Sequence, residues 1–229
     1  MSEQQGENKP ATFVLIHGGG SSSWDWHLVA PELRARGHEV IAVDLPIEDP
    51  ETGVSEYADA VLAEIGDRTE VVVVGHSFGG LVAPVVSARR ETDLLVLLTA
   101  MIPVPGEAPD KWWAASGHQA LGIRMDTEEQ VIDVFMHDVP AALAAEALSR
   151  GREQHENTGD QPIPLDAWPD VPTRFLLCRD DRFLPADFMR PLVRARLGIE
   201  PDEIDGSHCV MLSRPAELAD RLHRYWLER

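Results

Sequence analysis

Short, wholly apolar runs alternate along this chain with stretches whose apolar residues recur every three or four positions. Residues 12–16 (TFVLI) form a continuous apolar run that stops at a glycine cluster, the pattern of a strand buried on both faces. Residues 24–36 carry helical spacing through Trp24, Leu28 and Leu33, and Gly37 follows as a C′ residue. The pairing then recurs. A strand is predicted over 38–43, a helix over 55–65 on Tyr57, Val61, Leu62 and Ile65, a strand over 70–74, a helix over 78–90 and a strand over 94–99. Such alternation predicts right-handed βαβ units and a parallel sheet covered on both faces.

From residue 101 to about 172 the alternation fails. A proline-rich exit (IPVPGEAP), the pair Trp112-Trp113 and helical stretches at 127–137 and 140–152 take its place. A shift of this kind inside an alternating pattern predicts a small helical cap inserted above the sheet, at about 103–171. The alternation resumes with a strand over 173–178, a helix over 186–197, a short strand over 202–204 and a final helix over 215–227. Residues 1–10 (MSEQQGENKP) are polar and aperiodic and are expected to be a disordered tail, leaving one α/β domain over 11–229. There is neither an internal repeat nor a linker long enough to separate a second domain.

Composition narrows the partners. In 229 residues, 20 Lys and Arg stand against 39 Asp and Glu, a formal net charge of −19 with a pI near 4.7. Phosphate backbones and anionic lipid bind through clustered Lys and Arg, so neither nucleic acid nor a membrane surface is an expected partner. The two cysteines, Cys178 and Cys209, make no disulfide framework. No apolar stretch follows a basic region at the start, which predicts a cytoplasmic protein; a monomer or homodimer is expected. The longest apolar run, 94–105, is broken by Thr99 and prolines and falls short of the ~20 residues of a membrane helix.

Candidate chemistry lies in two glycine motifs. Gly75-His76-Ser77-Phe78-Gly79 matches G-x-S-x-G, with four valines running into it and a helix running out. A serine at such a strand-to-helix turn is held in a strained conformation that lifts its hydroxyl above the sheet edge, so its close neighbours must be small. Gly75, Gly79 and Gly80 meet that demand, and the Phe78 backbone N–H at the helix start is aimed at a developing negative charge. His17-Gly18-Gly19-Gly20, after the first strand, stands where a second backbone donor is required, and Gly19 is the candidate. It lacks the Lys-Ser/Thr of a P-loop and the G-x-G-x-x-G of a dinucleotide site.

These motifs, with GHSFGG, resemble the α/β-hydrolase superfamily. HGGGSSSWDW followed by the late GSHCVMLSRPAEL resembles, more narrowly, small bacterial serine esterases related to the plant methylesterase and hydroxynitrile lyase group. The resemblance covers 12–227 and implies a doubly wound, mostly parallel sheet of about six strands, since only the polar tail precedes the first strand. It implies the chain order serine, acid, histidine, with the base in the loop after the last strand, where only His208 stands. His17 and His76 belong to the glycine motifs and are read as holding loops. For the acid, Asp180 and Asp181 both follow the strand over 173–178, and the family pattern D-x-x-x-P selects Asp181, one residue from the alternative. Residues 100–106, where some relatives keep their acid, contain no carboxylate.

The resemblance thus implies a serine hydrolase cleaving carboxylic esters of small or medium size through an acyl-enzyme on Ser77, with His208 as base, Asp181 as its orienting acid and the N–H groups of Gly19 and Phe78 around the oxyanion. No cofactor or metal is expected; the partner is a small-molecule ester. A serine in place of a carboxylate excludes the aspartyl-nucleophile hydrolases of the same fold. Two alternatives share the triad: a hydroxynitrile lyase-like or other non-hydrolytic enzyme, and a slow-turnover, receptor-like ligand binder. Cyanohydrin-cleaving relatives commonly carry a lysine just after the histidine; here that neighbour is Cys209.

Overall fold

In the computed structural model, which describes residues 9–155 and 159–229, the apolar runs pair into one sheet. The strands are β1 (Thr12–Ile16), β2 (Glu39–Val43), β3 (Val71–His76), β4 (Leu94–Leu98), β5 (Thr173–Cys178) and β6 (Asp202–Ile204). Their order across the sheet is β2-β1-β3-β4-β5-β6, and every pairing is parallel, as the alternation predicts. Residues 1–8 of the expected tail lie outside the described residues. Lys9 is tied down: its carbonyl accepts from Trp226 Nε1 at 2.7 Å.

Both faces of the sheet are covered because successive strand residues point opposite ways and nearly all are apolar. On one face Val14, Val73, Leu95 and Phe175 pack under α2 (Val54–Ile65), α3 (Gly79–Arg89) and α7 (Ala186–Leu197). On the other, Phe13, Val72, Val96 and Leu176 pack under α1 (Val29–Ala35) and α9 (Pro215–Leu227). Gly79 to Ser87 of α3 are buried without exception, which is why that helix is apolar all round instead of amphipathic. Between β4 and β5 lie α4 (Pro109–Ser116), α5 (Glu128–Phe135) and α6 (Ala141–Ser149), while α8 (Val210–Ser213) precedes α9.

Two departures from the sequence reading have an identifiable cause. The helix expected over 24–36 is split into a 3-10 helix, Ser23–Trp26, and α1. Pro31 explains the break: a helix continuous through residue 27 would drive its ring into the His27 carbonyl, so Pro31 is tolerated only in a first turn. Strand β3 runs two residues beyond the predicted 74, because Gly75 and His76 still pair with Leu97 and Leu98.

At the sheet's edge His38 Nδ1 accepts from Ala11 N–H at 3.1 Å, and its Nε2 meets His223 Nδ1 at 2.8 Å. Burial, then the charges of His223 and Arg36, hold His38 down to about 4. His223 is lowered too, by burial and Arg36, with Asp220 opposing. In the unfolded chain a histidine takes its proton near 6.5, so between that pH and about 4 the unfolded state binds more protons. The stabilisation is whole above 6.5 and is lost as pH falls, roughly 1–2 kcal/mol from His38 after solvent screening. His17, His76 and His118 push the same way, so the pair is isolated by difference. Thermal melts from pH 7 to 4.5 should fall less steeply for His38→Gln than for the wild type. Parallel curves would reject the assignment.

Candidate active site

The topology brings the candidate residues to one edge. Strand order reverses between β1, which is followed by β2 on one side, and β3, which returns on the other; at such a switch point the loops diverge and leave a crevice at the carboxyl ends. Ile16 pairs with Gly75, so the HGGG loop and the serine turn are neighbours. His76 pairs with Leu98 and Leu98 with Leu176, which adds the ends of β4 and β5, and Cys178 with Ile204 adds β6.

Ser77 stands in the left-handed region at φ +52°, a conformation costing about 1–3 kcal/mol for a side-chain-bearing residue. Three backbone hydrogen bonds offset it: Ser77 N–H to Leu98 O at 3.3 Å, and Gly80 and Met101 N–H to Ser77 O at 3.0 and 2.9 Å. At about 1 kcal/mol each they suffice to hold the turn. The glycines are required by close approach: a Cβ at Gly75 would lie 2.6 Å from Gly79 O, and one at Gly79 would lie 2.8 Å from His17 O. Phe78 is the N-cap of α3, so its N–H precedes the helix's own hydrogen bonding.

The HGGG loop is held from both sides. His17 Nε2 accepts from Leu45 N–H at 3.1 Å while Nδ1 donates to Gly18 O at 2.7 Å, and burial lowers its pKa, so the ring is a neutral strut. Across from it, Arg152 N–H donates to Gly20 O at 2.8 Å, its guanidinium reaches the carbonyls of Ser21 and Leu45, and Gln154 Oε1 accepts from Gly20 N–H at 3.0 Å. The segment just after α6 therefore clamps the loop that presents Gly19. No motif marks Arg152 or Gln154, because the groups they hold, backbone atoms of Gly20, Ser21 and Leu45 and, for Arg152, the Glu48 carboxylate, lie more than a hundred residues away in sequence.

His208 Nδ1 lies 2.7 Å from Asp181 Oδ2, with both side chains buried. Asp181 Oδ1 accepts from the N–H groups of Phe183 and Leu184, each at 2.8 Å, and Thr99 Oγ1 donates to Oδ2. Burial alone would raise the Asp181 pKa, but the His208 charge and hydrogen bond, with the hydrogen bonds from Thr99 and the Leu184 N–H, outweigh it and hold the group below its ordinary value. Asp180 is exposed and turned elsewhere, its Oδ2 accepting from Gly206 N–H at 3.0 Å. It braces the loop before His208 and makes no contact of the Asp181 kind. Asp138 and Phe135, from the insertion, accept from the N–H groups of Ser207 and Cys209 at 3.1 and 3.0 Å. His76 Nε2 donates to His208 O at 3.0 Å; burial and then the His208 charge depress its pKa far, so it too holds a loop. Thr99, at φ +35°, was legible only as the last residue of an apolar run.

Two cavities meet at Ser77. The larger, about 540 Å³, is lined by Gly19, Ser77, Phe78, Met101, Trp113 and Phe183 among others. The smaller, about 190 Å³, is lined by the glycines of the loop, Asp25, His76, Ser77 and His208 with apolar walls. The tryptophan pair divides its labour: Trp113 faces the larger cavity, whereas Trp112 is buried in the core with Nε1 donating to Ile102 O at 3.0 Å. Trp26 is likewise buried in the core. Burial, then the charges of Asp25 and Asp181, push the Cys209 thiol pKa far up, which keeps it protonated. Among the described residues no group of three or more His, Cys, Asp or Glu side chains is placed to hold a metal ion, and no helix is long and apolar enough to cross a membrane.

A six-stranded parallel sheet wound on both faces, with a serine on a strained strand-to-helix turn and a histidine beyond the last strand, is the architecture of an α/β hydrolase. A sequence model of the alpha/beta hydrolase family matches residues 13–221, and the chain belongs to that family. It is 26% identical to Methylesterase 1 of Arabidopsis thaliana, covering 96% of each chain, and 28% identical to Alpha-hydroxynitrile lyase of the same plant, covering 92% of this chain and 95% of the other. The crystal structure of polyneuridine aldehyde esterase superposes with a TM-score of 0.83 at 21% identity, over 95% of this chain and 99% of that one.

Proposed function

We propose that this protein is a serine esterase that cleaves small or medium carboxylic esters through an acyl-enzyme on Ser77. The observation that carries the reading is the convergence at one sheet edge of a strained, cavity-lining Ser77 with a His208 that is paired to a fully hydrogen-bonded Asp181. Ser77 Oγ forms a bond to the acyl carbon as its proton passes to His208 Nε2. Asp181 keeps the other ring nitrogen protonated and balances the imidazolium, and the N–H groups of Gly19 and Phe78 hold the oxyanion. The carbon–oxygen bond to the alcohol then breaks, and the alcohol leaves with the proton from His208. Water repeats the sequence on the acyl-enzyme and releases the acid. The methylesterases and esterases among its relatives support ester hydrolysis. Treatment with a fluorophosphonate should label Ser77; a label on any other residue rejects the nucleophile.

Lyase chemistry on the same residues is the weaker reading. Cyanohydrin-cleaving relatives commonly carry a lysine just after the histidine, whereas Cys209 follows His208 and no Lys or Arg is among the described lining of either cavity. The carboxylates in that lining are Asp25 and Asp110, on a chain of net charge −19. Neutral esters should accordingly exceed anionic ones of equal size by about tenfold in kcat/KM at low salt, and the gap should narrow near 0.5 M as screening shortens to a few ångströms. A gap that salt leaves unchanged would point to shape instead of charge.

A further inference from the structure

The two cavities are not equivalent with respect to the reacting bond. The described lining of the smaller one includes both Ser77 and His208, whereas that of the larger one includes Ser77 and Phe78 without His208. A general acid must reach the oxygen that departs, so the cavity shared by Ser77 and His208 is the leaving-group side. Its 190 Å³ hold the equivalent of about six waters at ~30 Å³ each, room for an alcohol of two to five carbons. The acyl chain then has the 540 Å³ of the larger cavity.

Asp25 is out of keeping with the smaller cavity. Val131, Phe135, Met136, Leu148 and Leu212 make its walls apolar, yet the 3-10 helix Ser23–Trp26 delivers a carboxyl into them. The Ser21 hydroxyl donates to Asp25 Oδ2, and no Lys or Arg is among the described lining to balance the group. Burial raises its pKa, with Ser21 and the charges of His27 and His208 opposing. A carboxyl in such walls is destabilised unless hydrogen-bond donors meet it, and an alkyl alcohol strips its water without replacing it. An alcohol with a second donor restores the bond.

We infer that Asp25 is a specificity-determining residue on the leaving-group side, selecting esters whose alcohol carries a further hydrogen-bond donor, a hydroxyl or an ammonium group. This rests on the esterase reading above. Discrimination by a hydrogen bond to a substrate hydroxyl can be very large when the site's polar group is otherwise unpaired, but Ser21 already serves one oxygen. The expected preference is therefore about 10- to 100-fold in kcat/KM.

The test compares butyrate esters matched in size: 2-hydroxyethyl with propyl, 3-hydroxypropyl with butyl, and 2-(dimethylamino)ethyl with 3-methylbutyl. The intact wild-type chain should favour the donor-bearing member of each pair, and Asp25→Leu should abolish or invert the preference. If Asp25→Leu does not fold, the near-isosteric Asp25→Asn carries the test: the preference for the dimethylaminoethyl ester should fall at least tenfold as the charge is lost, while the hydroxyl pairs keep some of theirs. Ratios near one in the wild type overturn the inference. So does an equal fall for both members of a pair in the variant, the result expected if Asp25 only holds Ser21, or an Asp25-dependent preference that follows hydroxyls on the acyl side. Hydrolysis of all these esters without preference rejects the inference alone. Absence of hydrolysis together with absence of fluorophosphonate labelling rejects the esterase reading itself.

Discussion

Replacing Ser77 by alanine should lower kcat on p-nitrophenyl acetate by a factor on the order of 10⁴–10⁶. The size follows from the division of labour at the site. On the proposed mechanism the acyl-enzyme is lost with Oγ, and what remains is substrate binding and the oxyanion donors. Alanine occupies the left-handed conformation at φ +52° no worse than serine does, and the three backbone hydrogen bonds that hold the turn do not involve the side chain, so the fold should be unchanged. His208→Ala should cost about as much, and the double variant should cost little more than either alone, because the two groups act as a unit. Turnover by Ser77→Ala within tenfold of the wild type would place the nucleophile elsewhere.

Asp181→Asn should lower kcat on the order of 10⁴-fold, while Asp180→Asn should leave it within about twofold. The contrast is large because one residue of register separates two different environments. The buried Asp181 carboxylate takes two backbone N–H groups on Oδ1 and the Thr99 hydroxyl and His208 on Oδ2. An amide presented there must turn an NH₂ toward either the backbone donors or the imidazole, which forces the wrong tautomer and leaves the imidazolium without its counter-charge. At Asp180 the carboxylate oxygen only accepts from Gly206 N–H, a bond that an asparagine carbonyl keeps. Circular dichroism and thermal melts on both variants separate catalytic loss from unfolding. Equal losses at 180 and 181 would overturn the assignment of the acid.

Much of the frame is legible in the chain because a strand buried on both faces has nowhere to put a polar residue. The runs TFVLI and TRFLLC coincide with β1 and β5, and the 3.6-residue spacing of PAELADRLHRYWL coincides with α9, whose Leu218, Leu222 and Trp226 close one face. Periodicity misleads where a single residue overrules it. Pro31 breaks the first helix although Trp24, Leu28 and Leu33 keep helical spacing, and Gly75 extends a strand although glycine punctuates most of them.

The glycine motifs were legible for a steric reason: only glycine tolerates the approach of Gly79 O and His17 O beside the Ser77 turn, so the need is written as residue identity. The residues that brace the site are written nowhere. Thr99 supports Asp181 from 82 positions away, Arg152 holds the HGGG loop through backbone carbonyls, and Asp25 enters the smaller cavity from a helix whose sequence suggests only packing.

By itself, then, the sequence determined the layered fold and marked Ser77 as the candidate nucleophile, since burial and close packing select residue types locally. Only the tertiary structure decided which aspartate meets His208, which tryptophan faces the cavity and which side chains line the two cavities at Ser77. Those are distances between segments far apart in the chain, and a hydrogen bond across a hundred residues leaves no period for either strand or helix to carry.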